Sequence, residues 1–229
     1  IAKIYIICYN KLKIIQEESI MAVLDEISEM LQKGKRKDVV KLCQQALDEG
    51  IPASEILSGG LLAGMDIIGR KFKANEIFVP QVLVAARAMN AGAETLKPYL
   101  ADGDSTSRGK IVLGTVKGDL HDIGKNLVKM MFEGKGFEVI DLGVDVPAEK
   151  FIQTAIDNDS HIVACSALLT TTMPMLGEVV KTAEEMGVRD KLKIMVGGAP
   201  VTQEFADSVG ADAYTEDATS AADKALEYV

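Results

Sequence analysis

Histidine is almost missing from this chain: His121 and His161 are the only two in 229 residues. Cysteine is nearly as scarce. Cys8, Cys43 and Cys165 lie far apart, with no CxxC pair. That scarcity argues against a structural zinc site and points to a reducing compartment. Positive charge is in deficit, 25 Lys and Arg against 34 Asp and Glu, for a net charge of −9. A partner gripped by its phosphate backbone needs clustered Lys and Arg, so nucleic acid is not expected. No membrane span is expected either. IAKIYIICYNKLKII (Ile1–Ile15) is apolar and basic, but it is interrupted by lysines and too short to cross a bilayer. It also lacks the small-residue cleavage site of a signal peptide. No GxGxxG follows the first strand-like run, so a dinucleotide fingerprint is absent.

What is present fits a soluble globular chain of one or two domains: 48% hydrophobic and 26% charged, long enough for a sizeable core. Ordinary amphipathic sequence begins after Met21. Residues 1–21 therefore read as an N-terminal extension, with the native start at or near Met21. Residues 22–100 read as an all-α domain. Leu24, Ile27, Met30 and Leu31 recur at helical spacing before Gly34, and Val39 to Leu47 mark a second helix before Gly50. Pro52 and Pro80 open a third and a fourth. Four helices with short connections predict an antiparallel bundle. ADGDSTSRG (Ala101–Gly109) is small and polar and reads as a linker.

From residue 110 to 229 the rhythm changes to strand, helix, strand. KIVLGTV, FEVIDLG, HIVACSAL and KIMVGG are strand runs, and DAYTED is a weaker fifth. Helices follow at Ile123, Pro147 and Met173, with a last one running to Val229. This alternation predicts a five-stranded parallel sheet covered on both faces, and ligands at the carboxyl ends of its strands. GDLHDIGKN (Gly118–Asn126), SALLTTT and GGAP fall at those ends.

The histidine in GDLHDIGKN needs an account. Five residues separate Gly118 from Gly124, and Asn126 follows the lysine, so a Walker phosphate loop does not fit. A metallohydrolase would need more ligands than His121 and a distant His161. A polar loop after a strand can also carry Asp, Gly and His with no chemistry at all. A fourth reading makes His121 the single protein ligand of a metal already held by a macrocycle. Asp119 would then accept its other ring N–H. Asp122 and Lys125 read as residues that start the helix and face solvent.

Three segments in order, GDLHDIGK, SAL and GG, resemble the cobalamin-binding pattern DxHxxG, SxL, GG. They fall on Asp119, His121 and Gly124; on Ser166 and Leu168; and on Gly197 and Gly198. The gaps are 41 residues (125–165) and 28 (169–196). KFKANEIFVPQVLVAARAM (Lys71–Met89) resembles the helical cap of cobalamin-dependent methionine synthase and of corrinoid proteins in methyltransferase systems. The likeness implies a four-helix cap on a Rossmann-like, flavodoxin-like domain whose cofactor is cobalamin or a related corrinoid with its cobalt. It makes His121 the lower cobalt ligand in a base-off, His-on state, with Asp119 on the other ring nitrogen. Where methionine synthase completes this relay with Ser, this sequence has Thr172. The loop from Gly118 through Leu120, Asp122 and Ile123 to Gly124 would lie against the corrin. Ser166, Leu168, Thr170, Gly197 and Gly198 would line the slot for the displaced nucleotide tail, with Ala218 as a further tail contact. Phe72, Val79 and Val82 would cover the upper face of the corrin, or serve as ordinary cap packing.

As the resemblance implies, the chain would shuttle a methyl group through Co(I) and methyl-Co(III). Its partners would be a substrate-specific methyltransferase, a second methyltransferase that loads coenzyme M or a tetrahydropterin, and a reductive activator. His121 would release cobalt on reduction, and the freed imidazole beside Asp119 would take up a proton. A mutase small subunit and a cobalamin-dependent regulator share the corrinoid domain. The first would not need this cap, and the second normally adds a DNA-binding module for which this acidic chain has no room. Mass spectrometry of the endogenous protein tests the N-terminal reading: the native terminus is expected at or near Met21, and a terminus well before it overturns that.

Overall fold

The computed structural model describes residues 19–100 and 107–229. Ile1–Ile15 and most of the expected linker lie outside them. The chain divides into two compact units, Ile1–Thr106 and Ser107–Val229.

The first unit is helical. Helix α1 (19–32) and α2 (Arg36–Asp48) end at Gly34 and Gly50, both in left-handed backbone conformations. The third helix begins as α3 (Ala53–Glu55), widens into a π-helical segment (Ile56–Leu62) and continues as α4 (Ala63–Lys73). Its apolar spacing predicts an unbroken α-helix; the widened turns hold Gly59 and Gly60, against which α1 packs closely. A β-carbon on Gly60 would sit 3.0 Å from Ile27 Cγ2. Helix α5 (Val79–Leu96) starts at Phe78, whose N–H donates to Gln81 Oε1. Ile27, Leu31, Val39, Ile56, Leu61 and Leu96 are fully buried. Each such side chain contributes about 1.5–3 kcal/mol by burial.

The second unit is a parallel sheet of β1 (Lys110–Thr115), β2 (Glu138–Asp141), β3 (Ile162–Ser166), β4 (Lys193–Gly197) and β5 (Ala213–Tyr214). The order is β2-β1-β3-β4-β5, and every pairing is parallel. The near-continuous apolar runs require this, because both faces of the sheet are covered. Helices α6 (Ile123–Gly134) and α10 (Ala218–Leu226) pack together on one face; α7 (Ala148–Asp157) and α8 (Pro174–Glu185) cover the other. This is the flavodoxin-like order, and its chain direction switches between β1 and β3. Such an order places a crevice at the carboxyl ends of β1 and β3, and there the loops after these two strands meet, Val116 N–H donating to Ser166 O.

The expected fold holds, with local differences. Ser107–Gly109, expected in the linker, join the sheet unit: Arg108 N–H donates to Gly136 O, and Glu138 N–H to Gly109 O. A short helix α9 (Gln203–Ser208), capped by Thr202 Oγ1 accepting Phe205 N–H, occupies a stretch with no predicted element. Strand β5 keeps only two residues of DAYTED, since Asp212 uses its carboxylate on Ile194 N–H and Arg189.

Phe151 on α7 is fully buried in the core between sheet and helices. Replacing it with Ala is expected to cost about 3–5 kcal/mol in chemical denaturation, through the cavity left behind. A loss under about 1 kcal/mol would show that this face is not packed as described.

Candidate functional site

The loop after β1 carries the histidine. Its organising group is Asp119, a carboxylate with no exposed surface. Each oxygen is satisfied several times. Oδ1 accepts the His121 backbone N–H at 3.1 Å and lies 2.7 Å from His121 Nδ1. Oδ2 accepts Leu168 N–H at 2.8 Å, Leu169 N–H at 3.3 Å and the Thr172 hydroxyl at 2.7 Å. Burial pushes the Asp119 carboxyl up, but the donors from Leu168, Thr172 and His121 outweigh it and hold the group well below the usual carboxylate range.

An ionised Asp119 is acceptor-only, so His121 Nδ1 is the donor of the 2.7 Å bond. In the neutral imidazole, Nε2 then carries the lone pair. The His121 side chain is half exposed, so this lone pair sits on a ring open to the crevice. Thr115, buried at the end of β1, donates its one hydroxyl proton to His121 O at 2.8 Å. The 3.0 Å contact between the Thr115 and Ser166 hydroxyls is therefore donated by Ser166.

Around the ring the loop is apolar and outward-facing: Leu120 and Ile123 are exposed, as are Leu168 and Leu169 after β3. Gly124 is exposed, and a β-carbon there would meet nothing within 4 Å. At the end of β4, Gly197 likewise opens onto free space. Gly198, at φ +129°, would place a β-carbon 1.8 Å from Ala167 O, so no side chain fits there. Thr170 is exposed on the β3 loop, and Ala218 is buried at the start of α10. Of the cap residues, Phe72 is half-buried, Val79 exposed and Val82 fully buried. Val82 is thus a core residue, and the exposed aromatic at that helix start is Phe78, which the resemblance did not single out.

Two residues of GDLHDIGKN differ from or refine their sequence reading. Lys125 does not face solvent. Its side chain is 2% exposed, and Nζ meets Asp141 Oδ1 at 2.6 Å and Asn126 Oδ1 at 2.8 Å. Lys129 reaches Asp141 Oδ2 at 3.3 Å. Asp122 is exposed at the helix start and accepts from Asn126 Nδ2. Asp141, the last residue of β2, and Asp145, just after it, were not singled out; two carboxylates in DLGVD at a strand end were the available signal. His161 precedes β3 at the far end of the sheet. Cys43 and Cys165 are buried thiols pushed up by burial to about 11 and about 12, so both carry their protons at neutral pH. Among the described residues, no three His, Cys, Asp or Glu side chains gather to hold a metal.

A family model described as a B12 binding domain matches residues 109–224, and a second of the same description matches residues 23–97. The chain belongs to the B12-binding corrinoid proteins. It is 45% identical over 206 residues to the dimethylamine corrinoid protein of Methanosarcina barkeri, covering 90% of this chain and 96% of that one. It is 44% identical to trimethylamine corrinoid protein 1 of Methanosarcina acetivorans, covering 80% of this chain and 86% of that one. Among solved structures, it is similar to a chain of the methanol:cobalamin methyltransferase complex of Methanosarcina barkeri, with a TM-score of 0.82 at 31% identity, covering 91% of this chain and 81% of that chain. The cofactor of this corrinoid protein is cobalamin or a related corrinoid. The residues present fit it: one open imidazole lone pair suits a metal whose other ligands come from a macrocycle, and side chains are missing at Gly124 and Gly197 where a large ring or its tail needs space.

The Lys125–Asp141 pair gives the site a pH dependence. Burial raises the Asp141 carboxyl, but Lys125, the Gly143 N–H and Lys129 lower it further, so its folded pKa lies below its unfolded value. Its stabilisation is present above the unfolded value, about 4, and is lost as pH falls through the folded value. Asp141→Asn is expected to lower stability by about 3 kcal/mol at pH 7, with the two proteins converging as pH falls through the folded value. Urea titrations at several pH values check this; a pH-independent difference would contradict it.

Proposed function

We propose that this corrinoid protein is a methyl carrier that binds its cofactor base-off, with His121 Nε2 as the lower cobalt ligand. The observation that carries this reading is the buried, ionised Asp119, which fixes the imidazole tautomer through Nδ1 and leaves Nε2 open. When bound, the corrinoid supplies the methyl-accepting and methyl-donating chemistry at its cobalt. The chain's own part is to orient one nitrogen and to hold a charge balance beneath it. Asp119 keeps the ring in place and fixes which nitrogen is open. Thr172, in the place of the relay Ser, donates to the far carboxylate oxygen, so a change in ring charge is felt along a connected hydrogen-bonded line. Its second acceptor, Leu169 O at 2.9 Å, gives the same hydroxyl proton an alternative partner.

The apolar rim of Leu120, Ile123, Leu168 and Leu169 would seat the corrin, and Gly197 and Gly198 would flank the nucleotide tail. Phe72 and Val79 would shield the upper face, joined by Phe78. Likeness to dimethylamine and trimethylamine corrinoid proteins favours a methylamine as methyl donor, held by a separate methyltransferase. The chain would pass the group to a second methyltransferase that loads coenzyme M or a tetrahydropterin. Among the described residues no helix is long and apolar enough to cross a membrane.

His121→Gly loaded with cobalamin is expected to show the absorption spectrum of cobalt without a protein nitrogen ligand. An unchanged spectrum would overturn the assignment of His121. Methyl transfer with a panel of methyltransferases is expected to select methylamine donors.

A further inference from the structure

We propose that the connection from Asp141 to Asp145 is a two-point bracket that sets the position of the His121 ring, with Asp145 as its positioning residue. This rests on the reading of His121 as the ligand. The residues between β1 and α6 form no regular element, and the His121 ring is half exposed, so its direction is set by where the backbone is held. Gly118, near the start of this loop, and Lys125, in the first turn of α6 just after it, are both held from the same five residues. At one end, Asp145 Oδ1 accepts Gly118 N–H at 2.7 Å, and Asp145 N–H donates to Asp119 O at 3.0 Å. At the other end, Asp141 Oδ1 takes the Lys125 ammonium at 2.6 Å. Between them, Thr115 holds His121 O. Next to the bracket, Val146 N–H donates to Thr115 O, which ties the connection to the end of β1.

The conformation of Asp145 points the same way. Its φ is +56°, a region that residues with a side chain seldom adopt. Glycine would satisfy that backbone freely. A carboxylate stands there instead, one of the few side chains that tolerate the conformation, and its oxygen is spent on the Gly118 amide. No other residue of the connection reaches the front of the His121 loop with a side chain among the hydrogen bonds described. Ligand geometry is sensitive to displacements of about 1 Å. A loose Gly118–Asp119 peptide would let the Asp119–His121 unit tilt and misdirect Nε2.

Two substitutions separate the hydrogen bond from the backbone conformation. Asp145→Gly keeps the conformation and removes the acceptor; Asp145→Asn keeps both. The first readout needs no cofactor. The Gly118 amide of the apoprotein is expected to be protected from hydrogen exchange, with protection falling about tenfold in Asp145→Gly and restored in Asp145→Asn. The second is binding of aquacobalamin. Asp145→Gly is expected to bind about three- to tenfold more weakly and to show a smaller nitrogen-ligated fraction in its absorption spectrum, again restored by Asn. Rapid Gly118 exchange in the wild type overturns the bracket even if Asp145→Gly fails to fold. So does wild-type affinity and spectrum in Asp145→Gly, or an Asn variant as impaired as the Gly variant. If the wild type binds aquacobalamin with a spectrum that His121→Gly leaves unchanged, the ligand assignment itself has failed, and the apoprotein exchange data still report on the bracket.

Discussion

A carboxylate buried without exposed surface is among the more costly groups a fold can contain, and Asp119 is tolerated because five donors converge on it. Three are backbone amides and two are side chains. They come from two loops that lie apart in sequence and meet where the strand order reverses, between β1 and β3. If β1 and β3 were not neighbours in register, with Thr115 beside Ser166, Leu168 and Thr172 could not reach Asp119. The sheet order, the loop positions and the imidazole tautomer thus depend on one another. Removing the charge would leave donors without an acceptor, and removing the donors would leave a stranded charge.

The fold was legible because its signals are long and periodic. Apolar strand runs such as KIVLGT and KIMVG, alternating with amphipathic helices, admit few solutions other than a covered parallel sheet. Boundaries and short pieces were less legible. Helix α9 has only six residues and one capping threonine to announce it. The π-helical segment of ILSGGLL keeps helical apolar spacing, so its extra width is visible only once α1 is seen against Gly59 and Gly60.

The site was legible in part. A pattern of Asp, His and Gly after a strand marked the loop, and the matching small-residue runs after β3 and β4 marked its surroundings. Roles that depend on the tertiary neighbour did not show. Lys125 looks like any helix-start lysine until Asp141 from the next strand is placed beside it. Leu168 reads as a lining residue, yet its backbone amide also carries part of the negative charge of Asp119. Val82 repeats with the exposed Val79 in sequence, but one helical turn is enough to put it in the core. A sequence reports residue types; which of a residue's atoms is used depends on a partner far along the chain.

Leu168 and Leu169 illustrate a division of labour within single residues. Their amides point inward to the Asp119 carboxylate, while their side chains stand exposed at the crevice. An amide is the same whichever side chain it carries, proline excepted. The electrostatic support of the imidazole is therefore insulated from the composition of the rim around it. The apolar collar can be reshaped by substitution without altering the charge that orients the imidazole.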